Sequence, residues 1–380
     1  MNEQFGLEQQ LVLLGNGDES VFRHLEIFYG IFREFHLMKP DVFSDIHSFL
    51  QVGVGKQETG QSILTQHIVD RKLETFQNSL GTTERCFLTS LTDPIAGKWL
   101  TVVPKQEDFQ FHNSQYETDL RFRLLLPNRF AVEGTNCDGC TRKVVLDPTC
   151  HHLVSGCPCF GKRTQLHDAL SYAANEMAKY CGFRTKREEL HCFREADPEC
   201  GKKPDVSIFN PPILDNLLGI GDGRIRKLVL DFQVTDPLPG SASGVFKPMS
   251  QYLAEKANHM ADMAFATKNR KYLNIATENG LSFLPIIFES TGRIHPKSLK
   301  FFEAIADHAA EVKQINKGIV FAFIMNKLSC VFQKNLASNI NSRLDTINGH
   351  QTRAVSRHYS LSNASVSTHE RFRSRGHGLG

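Results

Sequence analysis

The sequence predicts a mixed α/β (α+β) fold, in which a central mixed sheet is flanked by helices. Short segments of alternating apolar residues, typical of strands, lie between longer segments whose apolar residues recur at helical spacing. Along the second half of the chain the predicted order is helix, three strands, helix, strand, helix. Helices in that order can cover both faces of one sheet.

The composition is that of an ordinary globular protein. The 380 residues, 41% hydrophobic and 22% charged, are enough for two or three domains. A formal net charge of +3 is too small to indicate nucleic-acid binding by itself, so such binding would need local basic patches. The first residues lack the pattern of a signal peptide, and no apolar run approaches about 18 residues. We therefore expect an intracellular protein that does not enter a membrane.

The first part of the chain, 1–95, is predicted to be a mostly helical region. Apolar residues in "ESVFRHLEIFYGIFREF" recur at helical spacing and favour core packing: Phe22, Leu25, Phe28, Tyr29, Phe32 and Phe35. A connecting region, 96–134, follows, with "GKWLTVVP" and the amphipathic "YETDLRFRLLLP". No role beyond support or docking follows from these patterns.

The later elements are predicted within 165–346, and a basic tail closes the chain. They are a helix over 165–182, strands over 183–190, 205–209 and 227–235, a helix over 248–278, a strand over 281–290, and helices over 297–314 and 319–346. The tail, 347–380, has five arginines against one acid among Ser, Asn and Gly, which predicts disorder.

A cysteine-rich segment, 135–164, has the ligand spacing of a zinc knuckle. The pattern C-x2-C-x11-H-x4-C is formed by Cys137, Cys140, His152 and Cys157. Four such ligands can surround Zn²⁺ tetrahedrally and make a closed, structural site. The spacing leaves the fourth ligand open, with these alternatives: Cys150, His151, Cys159 and His167. The bland interpretation is a loop of reduced cysteines, although the segment has few apolar residues to hold it folded without metal.

Two acidic residues stand at strand positions that could bring them together. Asp205 opens "DVSIF", and Asp231 lies within "KLVLDFQVT" on the same face as Gln233. If the strands pair, the carboxylates converge, and they repel each other unless a cation lies between them. Mg²⁺ suits such a position because it accepts one or two carboxylates, waters and phosphate oxygens. The pattern predicts metal-assisted hydrolysis of a phosphodiester.

Further candidates surround this pair. Lys268, Lys271 and Tyr272 in "KNRKY" share one helical face and could stabilise phosphate charge or orient water. Glu188 in "KREEL" is a candidate further metal ligand, and Glu176 on the preceding helix competes with it. Each has a plain alternative as turn chemistry or solvated surface. Their order along the chain favours the catalytic interpretation.

This order, with the cysteine cluster, resembles the PD-(D/E)xK restriction-like endonuclease region of non-LTR retrotransposon proteins. The resemblance covers about residues 65–345 and includes "GKWLTVVP", "GFRTKRE", "LDFQVTDPL" and "FLPIIFESTGR". It implies a restriction-endonuclease-like core at 165–346 behind a zinc knuckle, with structural Zn²⁺ and catalytic Mg²⁺. The implied site residues are Glu188, Asp205, Asp231, Gln233, Lys268 and Lys271.

Two departures from the family pattern limit what the resemblance implies. Gln233 stands where the D-x-K signature has lysine, a loss that Lys268 or Lys271 on the helix would repair. The chain also contains no Tyr-X-Asp-Asp reverse-transcriptase site. The resemblance therefore implies a nuclease that nicks one DNA strand and leaves a 3′ hydroxyl for a separate reverse transcriptase. The implied partners are DNA or RNA, and a reverse transcriptase or element RNA in trans, with a nuclear location.

Two rival hypotheses remain at the level of sequence. One is a zinc-stabilised nucleic-acid-binding module whose nuclease fold is catalytically inactive. The other is a structural protein with no nucleic-acid ligand. Geometry separates the first rival from the nuclease: a lysine from "KNRKY" that reaches the two acids favours catalysis, whereas lysines directed into solvent favour the inactive module.

Overall fold

A computed structural model describes much of the chain beyond residue 59. The described residues are 60–132, 134–137, 140, 143–155, 157, 162–194, 198–211, 227–241, 247 and 249–373. The chain divides into two compact units, Met1–Leu80 and Gly81–Gly380. In the first unit, helix α1 spans Gly60–Ser79. The aromatic pattern predicted as a helix near 20–36 lies outside the described residues.

The second unit contains the predicted alternation of helices and strands. In order, its elements are α2 (Thr82–Leu91), α3 (Asn113–Arg123), α4 (His151–Ser155), α5 (Lys162–Tyr180), β1 (Arg184–Arg187), β2 (Val206–Phe209), β3 (Lys227–Thr235), α6 (Gln251–Glu255), α7 (His259–Glu278), β4 (Ser282–Glu289), α8 (Pro296–Lys313) and α9 (Lys317–Arg373). Two short 3-10 turns, Lys98–Thr101 and Glu107–Phe109, lie in the predicted connecting region.

The four strands form one mixed sheet in the order β1-β2-β3-β4. The first three strands pair antiparallel, and β3 and β4 pair parallel. The prediction of a mixed sheet flanked by helices is therefore confirmed. Pairing between β2 and β3 stops at Leu230, while β3 remains paired with β4 as far as Thr235. Among the described strands, none pairs with the last residues of β3 on the β2 side, which leaves an open edge there.

The two faces of β3 pack against different cores, as its alternating sequence predicts. Leu228, Leu230 and Phe232 are buried in the main core, which also includes residues of α5, α8 and α9. On the other face, Val229 packs in a smaller cluster with Tyr272 of α7. Because Asp231 and Gln233 follow Val229 at steps of two, they belong to the face toward α7.

Helix α9 has a continuous apolar stripe along residues 320–347. Its buried residues recur at helical spacing: Val320, Ile324, Leu328, Phe332, Leu336, Ile340, Leu344 and Ile347. Full burial of each such side chain contributes roughly 1.5–3 kcal/mol. No helix in the described ranges is long and apolar enough to cross a membrane.

Three elements differ most from their predicted bounds. The helix predicted over 248–278 is split into α6 and α7, because Asn258 adopts a left-handed conformation with φ 64° between them. Strand β1 ends early because Glu188, with φ 46°, turns the chain out of the sheet. Helix α9 continues to Arg373, into the tail predicted to be disordered, since no proline follows Gly349 to end it.

Candidate active site and metal centre

Asp205 lies at the start of β2 and is fixed to β3 on both sides of Asp231. Its backbone N–H donates to the Leu230 carbonyl at 3.0 Å, and its Oδ2 accepts from the Phe232 N–H at 2.6 Å. The carboxylate thus replaces the next hydrogen bond of the ladder where β2 begins. Asp205 therefore lies one residue before the Val206–Leu230 pair, close enough to Asp231 for the two carboxylates to interact through their charges.

Asp231 is nearly inaccessible, with 5% of its surface exposed, and it forms an ion pair with Lys268 of α7. Burial raises the pKa of the Asp231 carboxyl; the positive charge of Lys268 opposes this rise, and the negative charge of Asp205 adds to it. The two acids therefore interact electrostatically, and a lysine from the "KNRKY" helix reaches Asp231, which is the kind of geometry that favours the nuclease hypothesis.

Three lysines gather around the ring of Tyr272 beside this pair. The distances from the ammonium nitrogens to the ring centroid are 5.7 Å for Lys268, 4.8 Å for Lys271 and 5.8 Å for Lys202. A hydrogen bond to Tyr272 raises the pKa of Lys271, burial opposes this, and the charges of Tyr272 and Asp231 add to the rise. Lys202 lies two residues before the "PD" dipeptide. It was not predicted because its loop and helix α7 come together only when the chain is folded.

His167 of α5 also contacts Asp205. Its Nε2 lies 2.9 Å from the Asp205 Oδ2, and its Nδ1 lies 3.0 Å from the Asp168 Oδ1. Burial alone would lower the pKa of His167, but the two carboxylates outweigh it and raise the pKa to about 8. The ligand spacing in the sequence indicates His167 only as an alternative zinc ligand. Its neighbours Leu166 and Leu170 face the core, which was the available signal that the start of α5 lies against the sheet.

The other predicted site residues have surroundings that differ from one another. Gln233 lines a cavity of about 310 Å³ together with His167 and Lys268. Glu188 is half exposed, and its Oε2 lies 2.5 Å from the Lys203 Nζ, while its backbone N–H donates to the Asp205 carbonyl. Glu176 of α5 forms a surface ion pair with Lys179 one turn away.

Three of the four predicted zinc ligands form a buried cluster. The ligand atoms of Cys137, His152 and Cys157 all lie within 4.8 Å of one another, so this group could hold a metal ion. The two thiol sulfurs are 3.4 Å apart. A Cys–His–Cys set of this compactness matches the ligand chemistry of Zn²⁺.

Cys140 lies beside this cluster on a tight turn. The Cys137 N–H donates to the Val144 carbonyl, and the Cys140 N–H donates to the Cys137 carbonyl. The Val144 N–H then donates to the Cys140 sulfur at 3.4 Å. Burial raises the pKa of Cys140, but the Val144 N–H, His152 and Cys137 outweigh it, so the net shift is downward. A lowered pKa favours the thiolate, the form that binds metal.

The alternative fourth ligands have other surroundings in the structure. The Cys150 thiol lies 3.9 Å from the Pro148 carbonyl, and burial raises its pKa. The His151 Nδ1 lies 2.8 Å from the Asp236 Oδ2. His167 contacts Asp205, as described above, and Cys159 lies outside the described residues. None of the described alternatives belongs to the group of close ligand atoms formed by Cys137, His152 and Cys157.

The cysteine-rich segment is tied to the sheet through buried polar groups that the sequence analysis missed. Asp147 accepts hydrogen bonds from the backbone N–H groups of His151 and His152, which orients the start of α4. Asp236, just beyond β3, contacts the His151 Nδ1 and accepts a hydrogen bond from the Ser290 hydroxyl. The cysteine-rich segment and the sheet are therefore joined by hydrogen bonds that meet at His151.

Comparison with known proteins supports a relation to retrotransposon proteins. The chain is similar to the Retrotransposable element SLACS 132 kDa protein of Trypanosoma brucei gambiense, with 25% identity over 262 residues. The match covers 67% of this chain but only 19% of the relative's length. No family model matches the sequence. The similarity is consistent with an element-derived protein.

Proposed function

We propose that this chain is a metal-dependent DNA endonuclease that nicks one strand of its target, as the nuclease region of non-LTR retrotransposon proteins does. The observation that carries the proposal is the convergence of Asp205, Asp231 and Lys268 from three separate elements. A sheet with a purely structural role rarely buries two neighbouring carboxylates, because their charged forms repel each other and are poorly solvated. The similarity to a retrotransposon protein points to the same class.

Divalent-metal chemistry fits the residues present. Asp205 and Asp231 would hold Mg²⁺, which polarises a phosphodiester and lowers the pKa of a bound water. Lys268 neutralises Asp231 in the free protein and would stabilise negative charge on the phosphate during the reaction. His167 contacts the Asp205 carboxylate, and Lys271 and Lys202 would supply positive charge for the DNA backbone.

The cysteine cluster would bind structural Zn²⁺ through Cys137, Cys140, His152 and Cys157. Four protein ligands leave no open position for water, so this ion would stabilise the segment and take no part in hydrolysis. DNA is the proposed main partner, with RNA, an element RNA or a reverse transcriptase acting in trans. On this proposal the protein acts in the nucleus.

A second candidate is a catalytically inactive, zinc-stabilised nucleic-acid-binding module. The observation in its favour is Gln233, which is neutral where the family signature has lysine and lies within the cavity beside Lys268. An inactive module would keep the basic residues around Tyr272 and would bind DNA without cutting it.

Nicking of supercoiled plasmid separates the two candidates. Purified protein with Mg²⁺ should convert supercoiled to open-circular DNA, and Asp231→Asn should lower the rate at least about 100-fold because it removes a metal ligand. Asp345→Asn, the same change at an exposed position of α9, should leave the rate unaltered. Equal nicking by the wild type and Asp231→Asn would contradict the assigned site. DNA binding without nicking by the wild type would favour the inactive module.

A further inference from the structure

The cavity beside the carboxylates lies at the open edge of β3. Beyond Leu230 no described strand pairs with β3 on the β2 side, and helices α4, α5 and α9 line the space instead. Its lining residues are Leu153, Val154, Thr164, Leu166, His167, Phe232, Gln233, Val234, Lys268, Leu336, Asn339 and Arg343. Its volume of about 310 Å³ lies at the lower end of the range of small-molecule pockets.

The wall of this cavity combines charged and amide side chains. His167 and Lys268, which contact the two acids, supply part of the charge. Gln233 and Asn339 add side-chain amides, each with both donors and an acceptor. Arg343 is almost fully buried and is held by a hydrogen bond from its guanidinium to the Leu153 carbonyl. Thr164 and apolar side chains form the rest of the wall.

The backbone of β3 adds a donor and an acceptor at the same place. The Leu230 carbonyl and Phe232 N–H both point toward Asp205 on the β2 side. Backbone groups along a strand alternate in direction, so the N–H and C=O of Val234 point to the same open edge. A flat ligand with donors and acceptors on its rim, and apolar faces, is complementary to this combination.

We propose that the cavity holds one unstacked nucleotide of the substrate strand, next to the phosphate that is cut. This inference rests on the proposed function and extends it to substrate class. The cavity adjoins the acids through His167 and Lys268, so the nucleotide that flanks the cut phosphate is the substrate part within reach. Its base would contact the amides and the β3 edge, which leaves that base edge unavailable to a pairing partner, and its phosphate would lie near His167 and Lys268.

An unpaired nucleotide is therefore the preferred substrate feature. Moving a base out of a duplex costs a few kcal/mol, and this cost is smallest where the base is already unpaired. The protein should bind a duplex with a single unpaired nucleotide at least about 10-fold more tightly than a fully paired one. Binding without added Mg²⁺ reports this preference independently of any cutting.

The test compares full-length protein on two labelled duplexes that differ only by one unpaired adenine, with no Mg²⁺ added. Val234→Phe places bulk at the cavity edge, and Val312→Phe is the matched change at a position that is 62% exposed on α8. We expect the wild type and Val312→Phe to prefer the unpaired adenine about 10-fold, and Val234→Phe to prefer it less than about twofold. Affinity for the paired duplex should stay equal in all three.

Two results would overturn the proposed nucleotide pocket. One is equal affinity of the wild type for both duplexes, and the other is an undiminished preference of Val234→Phe for the unpaired adenine. Thermal unfolding checks that each variant is folded. If Val234→Phe does not fold, Asn339→Leu carries the test, since loss of one amide should reduce the preference about fivefold, and no reduction would overturn the proposal. If the wild type nicks plasmid without this preference, only the proposed nucleotide pocket is refuted. If it shows the preference but never nicks, only the proposed endonuclease activity is refuted.

Discussion

The cysteine cluster and the carboxylate site are assembled in opposite ways. The cluster draws Cys137, His152 and Cys157 from one short segment, organised by a tight turn and by Asp147. The carboxylate site draws Asp205, Asp231 and Lys268 from two strands and a helix, and it exists only when the sheet is formed. Local ligands can be read from spacing, whereas the distant ones depend on strand register.

The largest expected effect concerns the cysteine cluster, whose ligands lie close together in the sequence. Cys137→Ser should abolish binding of one zinc ion per chain and lower the free energy of unfolding by at least about 4 kcal/mol, because structural zinc binding is coupled to folding. Metal analysis and thermal unfolding measure the two effects. Cys192→Ser, at a cysteine outside the cluster, should change neither, and unchanged zinc content in Cys137→Ser would refute the ligand assignment.

The next effect concerns the carboxylate site, whose residues lie far apart in the sequence. Lys268→Met should destabilise the protein by about 2–3 kcal/mol, because it leaves Asp231 charged and buried without its partner. Nicking should fall at least about 100-fold with the loss of phosphate stabilisation. Chemical denaturation and the plasmid assay measure these changes. Lys300→Met, at an exposed lysine, should alter stability by less than about 0.5 kcal/mol; equal effects of the two changes would contradict the ion pair's role.

A pH-dependent effect sharpens the comparison within the site. The folded-state pKa of His167 is raised from 6.5 to about 8, so its interactions with carboxylates stabilise the protein fully below pH 6.5 and fade as pH rises through about 8. His167→Gln should thus lose about 2 kcal/mol more stability at pH 6 than at pH 9 without added divalent ions. The charged groups around His167 are Asp168, Asp205 and, beyond them, Asp231 and Lys268.

Thermal unfolding of His167→Gln across this pH range provides the measurement. The exposed His191→Gln should show no such difference between pH 6 and pH 9. A loss in His167→Gln that is the same at both ends of the range would mean that the two carboxylates do not govern this histidine.

The smallest expected effect is at Glu188. Its carboxylate is half exposed and paired with Lys203, and exposed ion pairs contribute about 0–1 kcal/mol. Glu188→Gln should change stability by less than about 0.5 kcal/mol and nicking by less than about threefold. A loss as large as that of Asp231→Asn would instead make Glu188 a metal ligand that the free protein keeps apart.

Sequence patterns predicted the parts of this molecule in which one residue's role depends on near neighbours. The alternation of β3 placed Asp231 and Gln233 on one face, and the spacing of Cys137 and His152 indicated their cluster. The split between α6 and α7 was missed because a left-handed Asn258 has no periodic signal.

Contacts between distant elements were beyond reach for the same reason. His167 meets Asp205, and His151 meets Asp236, across separations of 38 and 85 residues. Nothing in the spacing of a single sequence encodes such pairs; packing of α4 and α5 against the sheet determines them. The open edge of β3 likewise follows from where β2 begins, which depends on the pairing register.

Divalent-metal binding by the acids tests the central claim most directly. Zinc-loaded protein is titrated with Mn²⁺ and followed by electron paramagnetic resonance, with Asp231→Asn and Asp345→Asn as variants. We predict one bound Mn²⁺ per chain in the wild type and in Asp345→Asn, and its loss in Asp231→Asn. Mn²⁺ bound equally by the wild type and Asp231→Asn, or by neither, would contradict a metal site shared by Asp205 and Asp231.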